Sequence, residues 1–130
     1  MRVKLTLLGK PVTKKNSQRI SRNRATGKPF IRPSERYKAY EADCLKQIPG
    51  RLRQRIDATV NVQCMYYMPD RRRVDLTNLL EATDDILVRA GVLEDDHCGI
   101  IAGHDGSRVR YDRARPRVEI EIVTMEEGQE

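Results

Sequence analysis

The sequence predicts an α/β (α+β) protein, a single domain in which a small mixed β-sheet of about four strands carries two main helices. Three observations lead there. Ile56 to Met68 alternates apolar and polar positions, the period of a half-buried strand. Leu76 to Ala90 instead sets Leu76, Leu79, Leu80, Thr83 and Leu87 at the i, i+3, i+4, i+7 spacing of an amphipathic helix. A chain of 130 residues is long enough for one modest core and too short for two.

From the start, Val3, Leu5 and Leu7 alternate with Lys4 and Thr6, which predicts a strand over residues 2–9. Lys10 to Pro33 has no clear periodicity, and a loop of that length in a compact domain is generally functional or disordered. It carries Lys10, Lys14, Lys15, Arg19, Arg22, Arg24, Lys28 and Arg32 with no Asp or Glu among them, so the expectation is an arm that orders on a polyanionic partner. Ser34 is placed to cap a helix from Glu35 to about Ile48, stopped by Pro49-Gly50. Tyr37, Tyr40, Cys44 and Ile48 share one side of it, and tyrosines at that spacing read as core. Arg51, Arg53 and Arg55 then make a basic turn.

The strand from Ile56 puts Ile56, Ala58, Val60, Val62, Cys64, Tyr66 and Met68 on one face, and delivers the chain to Pro69. Asp75 or Thr77 is positioned to cap the following helix, and Gly91 sits where helices stop. Gly99–Gly103 reads as a short strand that Ser107–Tyr111 continues. Arg115-Pro116 breaks it, and Val118, Ile120 and Ile122 alternate with Arg117, Glu119 and Glu121 in a last strand. The domain is expected over 1–125, with 126–130 a frayed acidic tail.

Charged residues make up 34% of the chain and the net charge is +6, a balance that favours a polyanion. Cys44, Cys64 and Cys98 form no C-x-x-C, and an odd, scattered set points to a reducing, cytoplasmic setting. The N-terminal apolar run is too short for a signal peptide, no stretch approaches a bilayer span, and no membrane association is expected. His97, Cys98 and His104 match no zinc spacing, and no dinucleotide or phosphate-loop fingerprint is present, so no small-molecule cofactor is expected.

The chemistry concentrates in PDRRRVDLTNLLEATDDILVRAGVLEDD, Pro69 to Asp96. Asp75 opens the helix and Asp95-Asp96 follows its return loop. Carboxylates gathered from a helix start and a loop suit a hard divalent cation, which takes one or two of them plus water and phosphate oxygens. Arg71, Arg72 and Arg73 suit the phosphates themselves. Acids beside guanidiniums are what metal-assisted phosphodiester hydrolysis requires. The two ends of the helix lie about 20 Å apart, so Asp75 and Asp96 approach only if the chain after Gly91 runs back.

This block resembles the RusA family of Holliday junction resolvases, through MPDRRRVDLTNLLEATDDIL and then RAGVLEDD. The likeness extends more weakly to the first strand, the Pro-Val-Thr-Lys-Lys-Asn turn and the closing strands. It implies a small homodimeric endonuclease that cuts four-way DNA junctions with Mg²⁺ (or Mn²⁺) and leaves 5′-phosphate and 3′-hydroxyl ends. By the family pattern Asp75 and Asp96 are the essential acids and metal ligands, with Asp95 beside them. Asn78 and Leu79 match. Thr77 stands where the family has a second aspartate, and Glu81 where it has lysine. Glu81, on one helical face with Asn78 and Asp85, is expected to supply the oxygen that Thr77 does not. Lys14, Lys15, Asn16, Arg71, Arg72, Arg73 and Asn78 are the expected DNA contacts. Two rivals stand beside this reading: a broader branch or flap nuclease, and a junction-binding protein with weakened catalysis.

Overall fold

The structure is a computed structural model that describes residues 1–14, 19–32 and 35–125. Lys15, Asn16, Ser34 and the tail 126–130 lie outside the described residues. The order is β1 (Arg2–Leu8), β2 (Arg19–Arg22), β3 (Pro29–Arg32), α1 (Glu35–Gln47), β4 (Val60–Met68), α2 (Leu76–Arg89), β5 (Ile101–Gly103), β6 (Arg108–Tyr111) and β7 (Arg117–Thr124).

Five strands form the main sheet, in the order β1-β7-β4-β5, with β6 also on β4. The β1/β7 and β7/β4 pairs are antiparallel, while β5 and β6 run parallel to β4. A parallel neighbour needs a crossover, and α2 is that crossover. The alternation in β4 and β7 decides which face it covers. Val60, Val62, Cys64, Tyr66 and Met68 are buried on the helix side together with Val118, Ile120 and Ile122. Leu79, Ile86 and Leu87 of α2, and Tyr37 and Cys44 of α1, close the core over them. At the centre of this contact the Tyr66 hydroxyl and Thr83 Oγ1 share a buried hydrogen bond of 2.6 Å.

Both helices end on identifiable devices. Arg53 donates to the carbonyls of Leu45 and Ile48 at 2.7 and 3.2 Å, satisfying the last turn of α1. After α2, Gly91 takes φ +76°, its N–H bonds Val88 O at 3.0 Å, and Val92 N–H bonds Leu87 O at 2.9 Å. That is a Schellman closure, and it turns the chain back toward the sheet.

Three expectations about the elements are corrected. The basic arm is not wholly irregular in the free chain: β2 and β3 pair antiparallel across a tight turn in which Asn23 Oδ1 accepts Ala25 N–H at 2.8 Å. Two four-residue strands are too short to show a period, so only the turn residues signalled them. The long strand begins at Val60 rather than Ile56. Ile56 makes an isolated bridge to Leu93, because its carbonyl is taken by Glu94 N–H at 3.0 Å in the chain returning from α2. Ser107–Tyr111 does not continue β5. The edge pairs with β4 twice and leaves it between, over residues 104–107. The described chain has more strands than the four expected, through this split edge and the β2–β3 ribbon.

Candidate functional site

α2 presents Thr77, Glu81 and Asp84 along one stripe, at i, i+4 and i+7. The chain returning from Gly91 sets Asp96 opposite that stripe, and the break in the sheet edge adds His104. Together with Leu80 these residues line a cleft of about 300 Å³. Sequence reasoning expected Asn78, Glu81 and Asp85 to share one helical face beside Asp75, and of these Glu81 does line the cleft. The structure turns Asp84 into the cleft instead, while Asp85 faces away and pairs with Lys14 at 2.6 Å.

Asp84 and His104 form the tightest polar pair here. Both carboxylate oxygens meet His104 Nε2, at 3.0 and 2.8 Å. Burial pushes the Asp84 carboxyl above its ordinary range, against the pull of His104 and with the nearby Asp96 and Asp85 charges adding to the rise. The Asp84 hydrogen bond in turn holds the His104 imidazole above its usual value, outweighing its own partial burial.

Asp75 occupies the N-cap position of α2, yet its side chain makes no capping hydrogen bond. Its Oδ2 instead accepts from Asn78 Nδ2 at 3.3 Å. Asp75 is exposed, and lies two residues before Thr77, which lines the cleft with Asp96. Asp95 is exposed as well, and its Oδ1 accepts the Asp96 N–H at 2.7 Å, fixing the turn that presents Asp96. Glu81 is exposed at the cleft wall. Among the described residues, no group of three or more His, Cys, Asp or Glu side chains is close enough to hold a metal ion.

The cations fall into two sets. Arg71, Arg72 and Arg73 are exposed on the segment between β4 and α2. Arg71 stacks on the exposed Tyr111 ring, 4.1 Å from its centroid, and Arg72 reaches Asp70 at 3.9 Å. Lys14 is instead tied down, by Asp85 and over the Tyr37 ring. Lys15 and Asn16 lie outside the described residues.

A wider hollow, about 630 Å³, lies on the open face of the sheet. Its acids are already engaged: Glu119 binds Arg117, and Glu121 lies within reach of Arg2 and Lys4. The smaller cleft instead brings Glu81, Asp84 and Asp96 together with the imidazole of His104.

Sequence reasoning missed Asp84, His104 and Tyr111. The Thr77–Glu81–Asp84 spacing was available as a signal for the first; the other two depend on how the sheet edge pairs. No curated protein matches the chain. The family model described as Endodeoxyribonuclease RusA matches residues 9–123, spanning the cleft and every strand of the main sheet except β1. The chain therefore belongs to the RusA family of endodeoxyribonucleases, the Holliday junction resolvases that its Pro69–Asp96 block resembles.

Proposed function

We propose that this protein resolves four-way DNA junctions by metal-assisted hydrolysis in the cleft along α2. The observation that carries the reading is the placement of Asp96. It is separated from Thr77 by nearly the whole of α2 in sequence, yet it lines one cleft with Thr77 and Glu81, next to the helix start that holds Asp75.

The donor set fits an ion that uses one or two carboxylates and completes its shell with water and substrate phosphate, as Mg²⁺ does. It does not suit a metal enclosed wholly by protein, since no group of three donors is assembled among the described residues. Asp96 and Asp75 are the residues that would hold Mg²⁺ (or Mn²⁺), with Glu81 supplying the carboxylate that Thr77 cannot. When bound, the ion supplies a water of lowered pKa and a Lewis acid for the phosphate. The chain's own part is orientation. The Asp95 carboxylate fixes the Asp96 turn, Asn78 holds Asp75, and Arg71–Arg73 bind the phosphates flanking the cut.

Two symmetric nicks in a four-way junction call for two related sites, so the active form is a homodimer. Thr77 and Glu81 favour one second reading, a junction binder with weakened catalysis. Wild type, Asp75→Asn and Asp96→Asn, each given a four-way junction, a flap and plain duplex in Mg²⁺, separate the readings. Junction-selective cutting, reduced about a hundredfold or more in each variant, supports the proposal. Comparable cutting of junction and flap, with plain duplex spared, selects a broader branch nuclease. Tight junction binding in Ca²⁺ with no cutting in Mg²⁺ or Mn²⁺ selects the weakened binder.

A further inference from the structure

His104 is held at both ends. Its backbone sits where the sheet edge leaves β4, and hydrogen bonds to β4 pin that departure. Asn61 Oδ1 accepts Asp105 N–H at 2.8 Å, Asn61 Nδ2 donates to Asp105 O at 3.2 Å, and Ser107 Oγ accepts Cys64 N–H at 2.9 Å. Its ring tip is fixed by Asp84, whose side chain is 13% exposed. With Nε2 on that carboxylate, Nδ1 has no hydrogen-bond partner among the described residues, and the ring remains 25% exposed at the wall of the cleft. A strut between α2 and the sheet edge needs only the Asp84 contact. It does not call for the ring to line the cleft that Asp96 also lines, with a second nitrogen left without a partner among the described residues.

Resting on the nuclease reading above, we propose that His104 is a catalytic residue, the proton donor to the leaving 3′ oxygen, and that Asp84 is the positioning residue that holds its ring. As the water oxygen bonds to phosphorus, the P–O3′ bond breaks and its electron pair stays on O3′. The proton on His104 Nδ1 passes to O3′, giving the 3′-hydroxyl, while the attacking water releases its own proton to solvent. His104 then regains a proton from solvent. The charged groups facing the ring are Asp84 and Glu81 from α2, Asp96 from the return loop and Asp105 beside it. Of these, Asp84 and Asp105 raise the His104 pKa and so favour the imidazolium that this role requires. General acid help of this kind contributes about a hundredfold to ten-thousandfold.

The test compares two four-way junctions that differ only at the mapped cut, with oxygen or sulfur as the 3′ bridging atom. A thiolate leaves without a proton, so it bypasses the donor. His104→Gln keeps a side-chain N–H for Asp84 but has no proton to give. The expected result is a loss of about a hundredfold or more on the oxygen junction and near wild-type cutting of the sulfur junction in the same metal. Asp84→Asn should move the basic limb of the kcat profile to lower pH, because His104 loses the partner that raises its pKa. Junction binding in Ca²⁺ shows that each variant is folded; should His104→Gln fail there, His104→Asn takes its place. An equal deficit of the histidine variant on both junctions, or full activity on the oxygen junction, overturns the assignment while leaving the nuclease reading intact. No cutting of either junction by wild type overturns both.

Discussion

One imidazole nitrogen of His104 meets both oxygens of Asp84, at 3.0 and 2.8 Å, and so links the middle of α2 to the point where the sheet edge breaks. The pair is partly buried, and a hydrogen bond to a charged group in such a place contributes about 1.5–3 kcal/mol. It also makes stability depend on pH, and the sign is fixed by the shift.

Because the folded state raises the His104 pKa, it binds the proton more tightly than the unfolded chain does. The stabilisation is therefore full below the unfolded value of about 6.5 and is lost as pH rises through the folded value. The Asp84 carboxyl is raised too, mainly by burial. Urea unfolding should show wild type exceeding His104→Gln by about 1 kcal/mol more near pH 6 than near pH 9. A difference that stays constant with pH would mean the pair carries no net charge coupling.

Tyr66→Phe should cost about 1–3 kcal/mol, since it strands the buried Thr83 hydroxyl without its 2.6 Å partner. Adding Thr83→Val should recover much of that loss, because both polar groups are then gone. Denaturant titration of the single and double variants gives the coupling directly. Independent, additive costs would show that this bond does not register α2 on β4.

Gly91→Ala should destabilise the fold by about 1–2 kcal/mol, the cost of a left-handed residue with a side chain. The nearest atom a new Cβ would meet is Arg55 Cγ at 3.9 Å, so sterics add little and the cost is conformational. The same substitution should reduce junction cutting more than Ca²⁺-supported junction binding, because this turn carries the chain back to Asp96. Unfolding curves and cleavage rates on one preparation check both halves.

Arg72→Gln with Arg73→Gln should weaken junction binding about equally for every sequence. It should also flatten the slope of log affinity against log salt by about 2, one for each phosphate contact removed. Binding curves across a range of monovalent salt measure this. An unchanged slope would place these exposed arginines away from the DNA.

Much of the architecture is legible along the chain. Alternation in Val3–Leu7, Val60–Met68 and Val118–Ile122 marks β1, β4 and β7, since a sheet covered on one face leaves that imprint. The stripe of α2 and its Gly91 stop are equally plain. The β2–β3 ribbon is not, because four residues carry too few turns of the pattern and both strands are basic. The family block names Asp75 and Asp96, and the structure brings Asp96 to the face of the helix that Asp75 begins.

By itself, then, the sequence determines the long strands β1, β4 and β7, the two helices and the chemical character of the site: acids beside a run of arginines. It does so because burial and charge are local properties that repeat with the period of each element. Only the tertiary structure decided that Asp84 rather than Asp85 enters the cleft, that Lys14 is tied to Asp85, and that His104 joins the acids. Those outcomes turn on the rotation of α2 over β4 and on where an edge strand lets go of its neighbour. Such choices are made by packing between residues far apart in the chain, and no periodicity records them.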